Sequence, residues 1–293
     1  MIRSFGSTLL VAVLCALAML VLASEAGAAK TSPKLAVGGY HNCALKSSGK
    51  VQCWGYDGYD QTDPASGEFK KLYAGTYHTC GLRRNDSAVC WGYENDGSTN
   101  PVGKYRSLDL GYDLTCGVRK NGAGVCFGEN GDGQADVPNG KFRSISAGEY
   151  QSCGIRPNDR IDCWGDDSYD QISDVPTGAF RSVSAGEYHV CAVRKTGESE
   201  CWGRDDYGET NTGSATFKTL VAGYYVSCGV RKRGDLKCFG YDGYGVQDPP
   251  SGPFRSVGTD PYGEHACGTR PNGKLACWGD NFYGQIDVPN NLD

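Results

Sequence analysis

The chain has 293 residues, of which 22% are charged and 39% hydrophobic, with 43 glycines, 18 tyrosines, 15 cysteines and a formal net charge of −5. That apolar and aromatic content is enough for a packed core and excludes a disordered chain. The mild acidity, with no basic tail, argues against a nucleic-acid partner.

The N-terminus reads as an export signal. Arg3 supplies the positive n-region, Leu9 to Ala23 is an apolar run, and Ala26-Gly27-Ala28 offers a small-residue cleavage site before Ala29. The run is about fifteen residues, short of the roughly 20 a membrane-spanning helix needs; an uncleaved anchor is the alternative. Removing 1–28 takes away Arg3, Glu25 and Cys15, so the net charge stays at −5 and the cysteine count becomes even. An even count in an exported chain is the pattern of a disulfide framework. No second apolar run of spanning length follows. The expected product is a secreted protein (extracellular, periplasmic or cell-surface associated), with residues 29–293 forming one domain and no membrane span.

Seven cysteine pairs then recur: Cys43/Cys53, Cys80/Cys90, Cys116/Cys126, Cys153/Cys163, Cys191/Cys201, Cys228/Cys238 and Cys267/Cys277. The two members are always ten apart, and successive pairs are 36 to 39 apart. Self-similarity at this period marks a repeat architecture. In the fourth repeat Phe142 to Ala147 alternates as a strand, Gly148 ends it, and a second strand runs from Gln151 to Arg156. After a turn at Pro157-Asn158-Asp159, Ile161 to Trp164 returns as a third strand. Gly165 to Asp170 leads to a short fourth strand ending near Val175-Pro176. No helix is expected beyond the signal.

The hairpin register follows from the first repeat. Lys46-Ser47-Ser48-Gly49-Lys50 suits a three-residue hairpin loop with Gly49 left-handed. Folding about Ser48 sets residue 45 opposite 51 and Cys43 opposite Cys53. Opposed residues at a non-hydrogen-bonded site lie roughly 4.5 Å apart at Cα, within disulfide reach. One local disulfide per repeat is therefore expected, and Cys-x₂₋₄-Cys zinc spacing is absent.

After each second cysteine stands Trp54, Trp91, Phe127, Trp164, Trp202, Phe239 or Trp278, followed by glycine. An aromatic repeated at one strand position is expected to pack between neighbouring units. Seven units of four short antiparallel strands make an all-β, seven-bladed β-propeller with one disulfide per blade.

The repeat resembles the regulator-of-chromosome-condensation family, on segments such as Gly75-Thr76-Tyr77-His78-Thr79-Cys80-Gly81-Leu82 and Trp278-Gly279-Asp280-Asn281-Phe282-Tyr283-Gly284-Gln285. It is similar in kind to the compact secreted members: β-lactamase inhibitor protein II-like proteins and the cysteine-bearing ectodomains of Crinkly-type receptor kinases. The resemblance implies a propeller and a binding role, with inhibition as one form of it. In that family the histidine of the repeat belongs to the blade's hydrogen-bonding core, which implies the same for His41, His78, His189 and His265.

If strands alternate up and down, one face receives the loop before each first cysteine and the loop after each Trp-Gly. It collects Tyr40, Tyr56, Tyr59, Tyr77, Tyr93, Tyr112, Tyr150, Tyr169, Tyr188, Tyr207, Tyr224, Tyr225, Tyr241, Tyr244, Tyr262 and Tyr283; only Tyr73 and Tyr105 fall elsewhere. The same loops hold nineteen carboxylates, including Asp57, Asp96, Glu149, Asp166, Asp167, Glu187, Asp205, Asp206 and Glu264, against one base, Arg204. The opposite hairpins carry Lys46, Lys50, Arg83, Arg84, Arg119, Lys120, Arg194, Lys195 and Arg231-Lys232-Arg233. A polarised disk is expected.

Tyrosine among acids is a binding-surface composition. The candidate binding residues are Tyr40, Tyr77, Tyr150, Tyr188, Tyr225, Asp166, Asp167, Asp205 and Asp206. The bland alternative is that the tyrosines pack at the channel mouth and the Asp/Asn-Gly positions only satisfy turns. No nucleophile elbow, zincin or phosphate-loop motif is present. The reading is a non-enzymatic module for a protein partner with a cationic surface, with carbohydrate binding as the alternative and no cofactor or metal.

Overall fold

The computed structural model describes residues 35–94, 97–99 and 101–292. The expected signal over 1–28, with Arg3, Cys15 and Glu25, and the carboxylate Asp96 lie outside the described residues. Seven three-stranded antiparallel sheets follow one another along the chain, each made of consecutive strands. Blade 1 is β1 (Leu35–Val37), β2 (His41–Leu45) and β3 (Val51–Gly55); blade 2 is β4 (Phe69–Ala74), β5 (His78–Arg83) and β6 (Ala88–Gly92). Blade 3 is β7 (Tyr105–Leu110), β8 (Leu114–Arg119) and β9 (Gly124–Gly128); blade 4 is β10 (Ser144–Ala147), β11 (Gln151–Ile155) and β12 (Ile161–Gly165). Blade 5 is β13 (Phe180–Ala185), β14 (His189–Arg194) and β15 (Ser199–Gly203); blade 6 is β16 (Phe217–Ala222), β17 (Val226–Arg231) and β18 (Leu236–Gly240). Blade 7 is β19 (Ser256–Thr259), β20 (His265–Thr269) and β21 (Leu275–Gly279). The first strand of each blade touches the first strands of both neighbours, and β1 meets β19, so these strands form the inside of a closed ring.

The hairpin register is the one the cysteine spacing requires. Leu45 faces Val51 and Cys43 faces Cys53, Gly49 is left-handed at φ 85°, and the same pairing recurs through Cys267 opposite Cys277. All seven expected disulfides are present: Cys43–Cys53, Cys80–Cys90, Cys116–Cys126, Cys153–Cys163, Cys191–Cys201, Cys228–Cys238 and Cys267–Cys277. Their Cα separations are 4.0 to 4.1 Å, shorter than the roughly 4.5 Å expected of a non-hydrogen-bonded pair.

The two cysteines of a pair are not equivalent. Cys80, Cys116, Cys191 and Cys228, on the middle strands, are fully buried. Their partners stand on the outer strands: Cys90, Cys126 and Cys201 are only half-buried, and Cys238 is buried at 7% exposure. Each of these four still packs against one of the hydrophobic clusters of the core. In blades 2 and 4 the left-handed turn residue is Asp86 or Asp159, at φ 72° and 69°. Asp tolerates that conformation at modest cost.

The expected fourth strand does not form. Between Asp167 and Pro176 the backbone donors are used locally: Ile172 and Ser173 donate their N–H groups to Asp167 Oδ1 at 2.7 and 3.0 Å, and Asp174 donates to the Asp170 carbonyl. Pro176 has no N–H to offer a ladder. The segment closes as a turn instead.

Packing between blades follows from two aromatics. Phe69, Tyr105, Phe180 and Phe217 open the first strands of their blades, Phe142 and Phe254 stand two residues before theirs, and all six are buried. At the residue after the first cysteine, a Cβ on Gly81 would stand 2.3 Å from the Phe69 ring, which explains the recurrent Cys-Gly. Each tryptophan is buried and donates its indole N–H across a blade boundary: Trp91 to the Gln61 carbonyl, Trp164 to Gln134, Trp202 to Gln171 and Trp278 to Val246, at 2.8 to 3.0 Å. At the seam Trp54 donates to Gln285 at 2.9 Å and Asn42 Nδ2 to the same carbonyl at 2.7 Å. Gln52 Nε2 adds a bond to Asn291 Oδ1. The ring is therefore closed by side chains of blade 1 on the chain's last loop.

Candidate functional site: the tyrosine-rich face

The turn between first and second strands begins with Gly38, Gly75, Gly111, Gly148, Gly186 or Gly223, and these turns lean on one another around the axis. A Cβ on Gly148 would lie 2.2 Å from the Gly186 carbonyl oxygen, and one on Gly111 would lie 1.9 Å from Gly148. Main-chain bonds join the same turns: Gly39 N–H to the Gly75 carbonyl, Thr76 to Gly111 and Glu187 to Gly223. Only glycine permits this approach, and it draws the residues that follow into a tight collar at the channel mouth.

On that collar the sixteen tyrosines assigned to one face form a single network of ring contacts. Tyr40 touches Tyr56, Tyr77, Tyr262 and Tyr283. Tyr59 touches Tyr77 and Tyr93, and Tyr112 joins Tyr77 to Tyr262. Tyr262 contacts Tyr224, which continues to Tyr188 and Tyr225. Tyr150 stacks on Tyr188 at 5.0 Å and 18°, Tyr169 meets Tyr188 edge-on, and Tyr207, Tyr225, Tyr241 and Tyr244 complete the set. Tyr105 is buried elsewhere, and Tyr73 packs against an inter-blade core cluster. Burial raises the Tyr150 hydroxyl to about 12, so this ring is a neutral donor at physiological pH.

The candidate tyrosines Tyr40, Tyr77, Tyr150, Tyr188 and Tyr225 thus all belong to the collar. The candidate aspartates are distributed differently. Asp166 accepts from Gln171 Nε2 and Ser168 Oγ, Asp167 from the Ile172 and Ser173 amides, and Asp205 from the Thr210 amide. Burial opposes the Asp167 charge, but those hydrogen bonds outweigh it and hold its pKa below the ordinary value. These aspartates hold turns while contributing charge to the face. The disulfide residues, Cys90, Cys126, Cys201 and Cys238 included, lie inside the hairpins of their blades and staple them.

Asp206 pairs with Arg204, the one base among these loops. The Arg204 guanidinium lies 4.6 Å over the Tyr225 ring, 5.4 Å over Tyr188 and 5.5 Å over Tyr169, and donates to the Tyr225 hydroxyl at 3.2 Å. Burial works against its charge, but Asp206 and the Tyr225 hydroxyl more than compensate and raise its pKa. The tyrosine face therefore already solvates one organic cation, by cation–π and hydrogen-bond contacts.

On two touching turns of the collar stand Glu149 and Glu187, which follow Gly148 and Gly186. Glu187 is 5% exposed. Burial and the neighbouring Glu149 charge push its pKa to about 8, with Tyr188 and Arg204 opposing. Burial also raises Glu149. Tyr262, which links Tyr40, Tyr112 and Tyr224, and this acid pair lie beyond the candidate set. A two-residue lengthening at Asp260 to Glu264 takes Tyr262 off the position three before a cysteine, where Tyr40, Tyr77, Tyr150, Tyr188 and Tyr225 stand.

The four histidines are fully buried and join blades. Nε2 of His41 lies 2.6 Å from Thr79 Oγ1, that of His78 2.9 Å from Thr115 Oγ1, that of His189 2.8 Å from Ser227 Oγ, and that of His265 3.2 Å from Asn42 Oδ1. Burial lowers His41 to about 3 and His78 to about 4. Among the described residues no group of three or more His, Cys, Asp or Glu is placed to hold a metal ion.

The opposite face is less basic than its hairpins imply. Arg83, Arg119, Arg156, Arg194 and Arg270 stack on the buried ring of their own blade's first segment, 3.9 to 5.4 Å from its centroid. Lys70 and Lys120 share Asp86, Arg143 and Lys195 share Asp159, and Arg231 and Arg233 share Asp235.

The profile of the regulator of chromosome condensation (RCC1) repeat matches residues 34–61, 69–98, 180–209 and 262–285. No curated protein matches the sequence. Among solved structures, the entire ectodomain of the Physcomitrella patens receptor kinase CR4 is similar at 29% identity and TM-score 0.73, over 84% of this chain and 73% of that one. The CRINKLY WD40 ectodomain of the Arabidopsis thaliana receptor kinase ACR4 is 24% identical at TM-score 0.68, over 85% and 96%. Prp20p of Saccharomyces cerevisiae is 17% identical at TM-score 0.61, over 73% and 72%. Four segments of this chain thus match the RCC1 repeat, and the chain folds as a seven-bladed propeller with one disulfide in every blade.

Proposed function

We propose that this chain is a secreted, non-catalytic binding module that recognises a cationic surface of another protein through its tyrosine-rich face. In this reading residues 1–28 are its signal and 29–293 its single propeller domain. The observation that carries it is the continuous network of sixteen tyrosine rings on one face, set among carboxylates. Tyrosine offers large rigid contact area with a polar tip, the composition of binding surfaces, and the acids add steering toward a cationic partner. Arg204, held by three of the rings, illustrates the chemistry such a face accepts. Seven disulfides suit an oxidising compartment, and the similarity to the CR4 ectodomain supports an extracellular setting. Inhibition of the partner is a narrower form of this reading and rests on family resemblance alone.

A second reading, a lectin, is favoured by one feature. Tyr59, Tyr169, Tyr207, Tyr244 and Tyr283 occupy the same repeat position, each 41 to 48% exposed, and each stands two residues after an Asp or Asn of the turn. Such equivalent platforms could each stack one sugar. Capture from the native extracellular milieu, followed by affinity measurement against salt, separates the two. One tight site that weakens with salt supports the protein reading; several weak, equivalent, salt-insensitive sites support the lectin.

A further inference from the structure

Glu149 and Glu187 stand on adjacent turns of the collar, close enough that each turn's glycine would clash with the next through a Cβ. Glu187 is 5% exposed, and its Oε2 has no hydrogen-bond partner. Its neighbours are tyrosines. Tyr150 and Tyr188 stack on each other, Tyr150 stands beside Glu149 and Tyr188 beside Glu187, each holding down its neighbour's pKa, and Tyr224 joins Tyr188 to Tyr262. Arg204, the cation of this neighbourhood, is turned to Asp206 and Tyr225.

A buried acceptor without a partner is costly, and two adjacent carboxylates repel. We infer that this socket of Glu149, Glu187, Tyr150 and Tyr188 receives one lysine side chain of the protein partner, whose ammonium completes the Glu187 carboxylate. Lysine suits it because its charge is compact, carries three donors and ends a slim stem. A guanidinium is planar and stacks on ring faces, as Arg204 does. The raised pKa values of the pair fit this account: at neutral pH Glu187 is largely protonated, and an entering ammonium would drive the proton off. The inference rests on the protein-binding reading for the source of the lysine, but not for the existence of the socket.

The test uses the disulfide-bonded, exported protein with ¹³C-labelled glutamate carboxyls, followed by NMR at pH ~7, where the linkage of proton release to charge should be visible. The probe is N-acetyl-lysine amide, compared with N-acetyl-norleucine amide, N-acetyl-arginine amide and calcium chloride. The lysine probe should move the Glu187 signal toward its ionised position with proton release. Glu187→Gln should weaken its binding by about tenfold, the worth of a hydrogen bond to a charged group. If Glu187→Gln does not fold, Glu149→Gln leaves the buried acid in place and should show a smaller loss of the same sign. Equal response to norleucine, a stronger response to arginine or calcium, or unchanged binding in both variants overturns the socket. A socket that takes the lysine probe while no protein competes for it would stand, and the protein-binding reading would fall. A partner that binds the face equally well to wild type and Glu187→Gln would leave that reading intact and remove the socket.

Discussion

Trp54 donates its indole N–H to the main-chain carbonyl of Gln285, 231 positions away, at 2.9 Å. Equivalent bonds elsewhere join blades that are also joined by continuous chain, but this one spans the seam. Trp54→Phe should therefore cost more than Trp164→Phe. The hydrogen bond alone is worth about 1 kcal/mol, and at the seam no chain connection holds the two blades together while it is lost. Urea unfolding under oxidising conditions should show a lower midpoint for the seam variant. Limited proteolysis should open it first between blades 1 and 7.

Each disulfide closes a hairpin whose register is already set by pairing, as in Cys153 opposite Cys163. Replacing one pair by serine should destabilise the domain by about 3 kcal/mol in the chain-entropy model, without altering its fold. Peptide mapping of the oxidised protein should link only partners ten residues apart. The six bonds whose outer-strand cysteine is half-buried, at Cys53, Cys90, Cys126, Cys163, Cys201 and Cys277, should yield to a soluble reductant ahead of the one at Cys238. Timed alkylation during reduction checks that order.

Glu187 gives the stability a pH dependence. Its folded pKa, about 8, lies above its ordinary 4.5, so the fold favours the protonated form. Its stabilising contribution is complete below the ordinary value of 4.5 and is lost as pH rises through about 8. Thermal unfolding should show stability declining across that window. Glu187→Gln should flatten the decline and raise stability at the alkaline end by about 1–3 kcal/mol, the cost of an unsatisfied buried group.

Glu209 sits where Gln61, Gln134, Gln171 and Gln285 stand in other repeats, fully buried like them. Its Oε2 accepts the Tyr207 amide, as Gln171 Oε1 accepts that of Tyr169. The Nε2 of Gln171 also donates to Asp166, whereas Glu209 Oε1 has no partner. Burial raises its pKa. At the position of Asp166 this blade carries Arg204, so the carboxylate has moved to the glutamine's place and a base stands where the acid was. Glu209→Gln should stabilise the protein above neutral pH, and Arg204→Asp combined with it should restore the bond seen in blade 4. Differential scanning calorimetry of the single and double variants checks both.

The repeat period, the paired cysteines and the Trp-Gly positions are enough to read blade number, hairpin register and disulfide pairing, because each is a local relation repeated seven times. Cys43 faces Cys53 for reasons contained in eleven residues. The shared face of the tyrosines is legible for the same reason, since strand alternation decides it. The fourth strand is not, because Asp167 captures the amides that a ladder would have needed. The basic face is overstated by sequence because the stacking of Arg83 on Phe69 and of Arg156 on Phe142 is a tertiary event. The different burial of Cys80 and Cys90 is likewise hidden, since it depends on which strand lies outermost in the blade. So is the acid pair: the closeness of Glu149 and Glu187 arises from the contact between the Gly148 and Gly186 turns of successive blades.

The central claim, that recognition lives on the tyrosine face, is tested most directly by kinetics on a captured partner with three variants. Replacing Tyr150, Tyr188 and Tyr225 by alanine should raise the off-rate, since large aromatics dominate contact energy. Neutralising Asp166, Asp167, Asp205 and Asp206 should chiefly slow the on-rate, with the effect fading as salt shortens the screening length from about 10 Å at 0.1 M. Changing Arg231, Lys232 and Arg233 on the opposite face should leave both rates unchanged. Intact binding in the first two variants with loss in the third would contradict the account.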